Sequence, residues 1–158
     1  MSSKNSHWNT PSEILDRVRN IAPISLDPTH NINSTVNSKH TYDITKGEDA
    51  LILPWGGFGL VFLNCPFDML PEFGYKVSQE AKLGTEIVVI APADVSTKVF
   101  QQVWMTANSV CFPDHRIVYL NEGKKIGSPR FASIIAYFGW NSNAFEEAFH
   151  DFGKIIRP

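Results

Sequence analysis

Two unbroken apolar runs organise the chain, "GLVFLN" at 59–64 and "TEIVVIAP" at 85–92. The second is dense in β-branched residues, and neither alternates with polar positions. Such runs predict strands buried on both faces, as in a parallel sheet covered by helices. Between them Leu70, Phe73, Val77 and Ala81 recur at helical spacing and predict a helix over 70–83. The same period puts Ile14, Leu15, Val18, Ile21 and Ala22 on one face of a helix over 11–21. "TPSE" supplies its start, with Thr10 as cap, Pro11 at the first helical position and Glu13 completing a capping box. A further helix is expected over 96–107, capped by Ser96, with Val99, Phe100, Val103 and Trp104 facing inward. "NAFEEAFHDF" reads as a last amphipathic helix.

Shorter apolar stretches, "PISLD", "SVCF", "RIVYL" and "FASIIAYF", predict the remaining strands. "EDALILPW" fits either a short strand or a turn of helix. Residues 28–41 and 121–130 are polar and turn-rich, which predicts loops. Strands alternating with helices imply an α/β fold with a mainly parallel sheet. The last strands have no helix between them, so an antiparallel edge is expected at the C-terminal end. The 158 residues suffice for one domain with a sizeable core. That domain spans 1–158, with 1–10 as a polar N-terminal arm.

Composition removes several function classes. No apolar run is long enough to span a membrane, and "MSSKNSHWNTPS" lacks the apolar centre of a signal peptide. Cys65 and Cys111, the only two cysteines, make neither a disulfide framework nor a zinc site. A reducing cytoplasm is the expected location. His7, His30, His40 and His115 show no metal-ligand spacing, and no metal is expected. The net charge of −2 means that any nucleic-acid contact needs a local basic patch. Lys98, Arg116, Lys124, Lys125 and Arg130 fall in loops beyond the strand ends and are the phosphate candidates.

In an open α/β sheet, ligands bind beyond the carboxyl ends of the strands. Three buried strands end in unusual chemistry: Asp27-Pro28, Asn64-Cys65-Pro66-Phe67, and Ala91-Pro92-Ala93-Asp94. These ends are expected along one rim. Asn64 and Phe67 suggest a reaction at the exocyclic amine of a nucleobase, whose lone pair is delocalised into the ring. Two acceptors aimed at its N–H groups make the nitrogen more tetrahedral and freer to attack. The Asn64 side-chain oxygen is one such acceptor, and the carbonyl of Cys65 or Pro66 is the other. Phe67 offers a stacking face to a base taken out of the duplex. A strand-ending turn before a helix would use the same four residues.

"NCPF" resembles the (D/N/S)-P-P-(Y/F/W) motif of amino-methyltransferases, which use S-adenosylmethionine. Over roughly 8–138 the chain is similar to the phage and prophage DNA N6-adenine methyltransferases, often called phage Dam-like. The likeness rests on Trp8-Asn9-Thr10-Pro11, on "LDPTH", on "EDALILPW" before the catalytic strand, on "VVIAPADVSTKVF" after it, and on "DHRIVYL" and "SPRFASIIAYF" near the end. It implies a Rossmann-like methyltransferase sheet, S-adenosylmethionine as cofactor, DNA as substrate and a phage- or prophage-encoded protein working in the host cell. It also implies catalytic roles for Asn64, Cys65, Pro66 and Phe67, and cofactor contacts at Trp8, Thr10, Pro11, Asp27 and Asp49. Asp27 would face the cofactor's amine, and Thr10-Pro11 its carboxylate, where a helix N-terminus suits an anion. Trp55 either walls that pocket or belongs to the core.

Two positions depart from the family pattern. Cys65 stands where the motif has its first proline, and "DPTHNINST" contains no glycine. These departures sustain a rival reading, a methyltransferase-like DNA-binding or host-interaction protein without catalysis. A third reading is an amino-methyltransferase acting on RNA or protein, since the same tetrapeptide serves those amines. The chain leaves little room for a separate target-recognition domain. Sequence choice would come from loops such as 28–49 and 121–130, or from a second subunit in a homodimer.

Overall fold

A computed structural model describes residues 8–158 of the chain; His7 and most of the polar arm lie outside the described residues. Both apolar runs form strands that are covered on each face. The strands are β1 (Ile24–Asp27), β2 (His40–Thr41), β3 (Leu60–Asn64), β4 (Ile87–Pro92), β5 (Ser109–Pro113), β6 (Tyr119–Asn121), β7 (Lys124–Gly127), β8 (Ser133–Phe138) and β9 (Gly153–Ile156). The helices are α1 (Ser12–Ile21), α2 (Leu70–Lys82), α3 (Lys98–Gln102) and α4 (Ser142–Phe149). Seven strands form one sheet in the order β2-β1-β3-β4-β8-β5-β9, and β6 and β7 form a separate hairpin.

The pairs β2–β1, β1–β3 and β3–β4 are parallel, whereas β4–β8, β8–β5 and β5–β9 are antiparallel. The sheet is therefore mixed. Strands β1 to β5 share one direction and only β8 and β9 oppose them. The antiparallel half is larger than the edge expected from sequence, because β8 inserts between β4 and β5 and β9 adds a further strand outside.

The period of two along each strand divides the core between the faces. Leu60, Phe62, Val88 and Ile90 pack on one face with Ile14, Leu15 and Val18 of α1 and Phe145 and Phe149 of α4. Val61, Leu63, Ile87, Val89 and Ala91 pack on the other with Phe73 and Val77 of α2, Phe100 of α3, and Trp104. Two-sided burial is why these strands read as continuous apolar runs. β1 breaks the alternation. Ile24 joins the first face and Leu26 the second, opposite Leu60 and Val61 respectively, because the register shifts between them. Such an irregularity bends a strand and re-aims the side chains beyond it, and Asp27 is the next residue.

Local details depart from the sequence reading. α1 begins one residue later, with Pro11 in the cap position and no side-chain capping bond. The Thr10 hydroxyl is buried without a partner, while its carbonyl accepts from the Thr35 hydroxyl at 2.6 Å. Glu13 is exposed and closes no capping box; its carboxylate lies 3.8 Å from His115. The helix expected over 96–107 is shorter, an α-turn followed by a 3-10 turn at Trp104–Thr106. Thr97 caps it, accepting from Phe100 N at 3.3 Å, not Ser96. Residues 121–130 are not simply a loop. Glu122 and Gly123, with φ of 52° and 77°, form the tight turn of the β6–β7 hairpin, where glycine tolerates the left-handed region.

Candidate active site

The chain leaves β1 toward the β2 edge and enters β3 toward the opposite edge. The gap between the carboxyl ends of β1 and β3 is thus a topological switch point, the place where open α/β sheets hold ligands. A cleft that opens to solvent lies there. Its walls come from Trp8 and Asn9, from Asp27 at the end of β1 with Thr29, Asn31, Ser34 and Val36 beyond it, and from Asn64 at the end of β3 with Cys65, Pro66 and Phe67 beyond it.

Asn64 ends β3. Its side-chain amide donates to the main-chain carbonyl of Trp8. A carbonyl can only accept, so this contact fixes which way the amide faces. Oδ1 is left without a partner among the described residues, and Asn64 as a whole is half-buried. The Thr29 hydroxyl donates to the Asn64 main-chain carbonyl at 3.3 Å, which ties the loop after β1 to the end of β3.

Cys65 extends the ladder by one bond, donating from its N to the Ile90 carbonyl at 3.0 Å. Its side chain is buried among Leu26, Leu63, Val89 and Ala91. Burial drives the thiol pKa far up, with a smaller push from the Glu72 carboxylate, so the sulfur stays protonated and inert. Pro66 is extended, with φ of −61°, and its carbonyl accepts from Met69 N at 3.2 Å as a 3-10 turn starts at Phe67. Phe67 meets Trp8 and Tyr119 edge to face, at ring-centroid distances of 5.8 and 6.3 Å.

Asp27 is 2% exposed. It accepts from Thr29 N at 3.2 Å and from the Ser34 hydroxyl at 2.9 Å, and His30 Nδ1 lies 3.6 Å away. Burial raises its pKa above the ordinary carboxylate value, partly offset by the Ser34 and Thr29 hydrogen bonds and by His30. Asn31 donates to Asn9 Oδ1 at 3.0 Å. Trp8 Nε1, Asn9 Nδ2 and the Thr10 hydroxyl are buried with no partner among the described residues. An unpartnered buried donor costs roughly 1–3 kcal/mol. Two of these residues, Trp8 and Asn9, line the cleft, as does Asp27, the residue of the buried carboxylate. A group carrying a carboxylate and an ammonium together matches that set.

The structure brings together Trp8, Asp27, Asn64, Cys65, Pro66 and Phe67. Thr10 and Pro11 follow Asn9 in the chain but do not line the cleft. Asp49 is elsewhere and caps its own turn, accepting from Leu51 N at 2.9 Å. Trp55 is a core residue on the α2 face, its Nε1 donating to the Ala50 carbonyl at 3.0 Å. The sequence reading missed Asn9, Thr29, Asn31, Ser34 and Val36. For Thr29, Asn31 and Ser34 the signal was the density of Asn, Ser and Thr after Asp27, which form local turns such as Asn33 N to Asn31 Oδ1 at 2.9 Å.

Lys98, Arg116, Lys124, Lys125 and Arg130 are all exposed. The last four lie between the end of β5 and the start of β8. Because Ser133 pairs with Pro92 at the end of β4, that segment rises from the rim that carries the cleft. Asn9 bridges to Leu120 of the hairpin, and Trp8 packs on Tyr119 at 5.8 Å. Arg116 donates to the Pro129 carbonyl, and Arg130 lies over the Phe131 ring at 5.4 Å. No group of three or more His, Cys, Asp or Glu among the described residues could hold a metal ion. No helix among them is long and apolar enough to cross a membrane.

Comparison with known families matches residues 1–138 to DNA N-6-adenine-methyltransferase (Dam). The chain belongs to that family. The match takes in the N-terminal segment, the ends of β1 and β3, the hairpin and β8. The Dam match stops before α4 and β9, which complete one face and one edge of the sheet in this chain. No curated protein matches the chain.

Proposed function

We propose that the protein transfers a methyl group from S-adenosylmethionine to the N6 amine of adenine in DNA. The observation that carries this reading is the oriented Asn64 amide. Its NH2 is engaged by Trp8, its Oδ1 has no partner among the described residues, and Asn64 lines the switch-point cleft. The donor and acceptor set of the cleft fits the cofactor's amino-acid end. Asp27 would face its ammonium, and the unpartnered donors of Trp8 and Asn9 would face acceptor groups. When bound, S-adenosylmethionine supplies a methyl on a sulfonium sulfur, which departs as a neutral thioether with the electrons of the broken C–S bond. The chain's own residues then have one task, which is to hold the amine. One N–H donates to Asn64 Oδ1 and the other to a main-chain carbonyl of Cys65-Pro66. This frees the nitrogen lone pair for attack, and the surplus proton leaves to water from Asn64 Oδ1.

Phe67 would stack on the adenine, a contact worth roughly 1–3 kcal/mol in single-strand systems. Lys124, Lys125 and Arg130 would meet phosphates from the hairpin side. The sheet order, with β1 and β3 flanking the switch point, supports reading it as a Rossmann-like methyltransferase sheet. Calorimetry with S-adenosylmethionine and its demethylated product, followed by labelled-methyl transfer to DNA, tests the proposal. Binding followed by transfer to adenine is expected. Protein that ignores the cofactor at millimolar concentration would sink it.

A further inference from the structure

The ladder between β3 and β4 is regular until its last bond. Val61 N donates to the Glu86 carbonyl at 2.9 Å and Cys65 N to the Ile90 carbonyl at 3.0 Å, with Asn64 opposite Ile90. In a parallel pair such bonds alternate evenly between the strands. The next donor toward β3, due at the Cys65 carbonyl, is therefore the main-chain N–H of residue 92. Residue 92 is proline and has none. Ala93 faces the other way and donates to Ala132 at 2.7 Å.

No donor among the described residues reaches the Cys65 carbonyl, although Cys65 is only 1% exposed and lines the cleft. A buried carbonyl without a donor is uncommon and destabilising. The adjacent Pro66 carbonyl, by contrast, is already engaged by Met69.

We propose that Pro92 is a positioning residue for methyl transfer: by withholding the last ladder N–H, it keeps the Cys65 carbonyl open as the second acceptor for the substrate amine. This rests on the function proposed above, and what it adds is the role of the residue across the ladder. It also accounts for cysteine at position 65. The working atom is a main-chain oxygen, and its availability is set by the residue across the ladder, not by the side chain it belongs to.

Pro92→Ala and Pro92→Val test the proposal, the second retaining a good strand former should the first fold poorly. In the folded variants the new residue-92 amide should exchange slowly with solvent, because it closes the ladder onto Cys65. The kcat for methyl transfer to DNA should fall about 10- to 100-fold, while calorimetric affinity for S-adenosylmethionine stays unchanged. Undiminished kcat in a folded variant with a protected residue-92 amide overturns the inference, and so does a rapidly exchanging amide. Parallel loss of kcat and cofactor affinity marks a purely structural proline and overturns it as well. Wild-type protein that transfers no methyl group overturns the proposed function itself. Because the exchange measurement needs no turnover, the two failures are told apart.

Discussion

The Asn64 side-chain amide is held by the main-chain carbonyl of Trp8, across a separation of 56 residues. Trp8 also packs edge to face on Phe67 and Tyr119, at 5.8 Å from each. The segment before α1 is therefore part of the cleft wall. It couples the orientation of the Asn64 amide to the placement of the aromatic ring beside it.

Asn64→Ala removes the side-chain acceptor and should reduce methyl transfer about 100-fold or more, with cofactor affinity retained. Asn64→Asp is a sharper probe. A carboxylate oxygen would face the Trp8 carbonyl, two acceptors with no proton between them, at a cost of about 1–3 kcal/mol. Trp8 should then become more accessible to a fluorescence quencher, and activity should fall. Full activity in folded Asn64→Ala would sink the acceptor role.

Cys65 contributes a packed side chain and a main-chain N–H. Cys65→Ala should keep methyl transfer and lower stability by about 1–2 kcal/mol through poorer packing. Cys65→Pro restores the family's residue but deletes the bond to the Ile90 carbonyl, so it should destabilise more than alanine does. Denaturant titration of both variants beside an activity assay checks the order. Native protein should resist alkylation at Cys65, since burial keeps the thiol protonated.

What the sequence disclosed follows from burial. β3 and β4 are covered on both faces, so their apolar runs were unambiguous. β9, "GKII", is half exposed at the sheet edge, and its short alternation is lost beside the amphipathic pattern of α4. The apolar stretch "RIVYL" marked β6, but β7 carries Lys124, Lys125 and Ile126 exposed, so 121–130 read as a loop. At the site, Asn64 to Phe67 were legible because polar chemistry interrupts a buried strand. Asn9, Asn31 and Ser34 were not, since their convergence depends on the irregularity in β1 and on 28–36 folding back over its end. Asp49 entered as a cofactor contact through the family resemblance, and Trp55 was open between the pocket wall and the core. The structure places Trp55 in the core, where Glu80 also receives its main-chain N–H at 3.3 Å.

The hairpin cations give a prediction in salt. If Lys124 and Lys125 meet phosphates, replacing both with alanine should flatten the dependence of log K on log salt. On duplex DNA the slope should change by about 0.9 for each phosphate that is no longer neutralised. Cofactor affinity should not move. An unchanged slope in the double variant, measured by anisotropy, would shift the DNA surface away from the hairpin.

Asp27→Asn should separate stability from function. Burial raises the Asp27 pKa in the folded protein, outweighing the hydrogen bonds from Ser34 and Thr29 and the charge of His30. The folded state then binds its proton more tightly than the unfolded chain does. Unfolding free energy therefore falls as pH rises from the ordinary carboxylate range through the raised value. Asparagine has no such dependence. Free of cofactor, the variant should match or exceed the wild type in melting temperature at neutral pH, with its advantage shrinking as pH falls below that window. Asp43 and Asp151 act in the opposite sense, held low by hydrogen bonds from Thr45 and Arg17, so the difference between variant and wild type is what isolates Asp27. Binding reverses the order. The carboxylate is the form that pairs with an ammonium, so wild-type affinity for S-adenosylmethionine should rise with pH across the same window and the variant should bind weakly throughout. Melting curves across pH, with and without cofactor, read both halves. A variant that binds the cofactor as well as the wild type would remove Asp27 from the site.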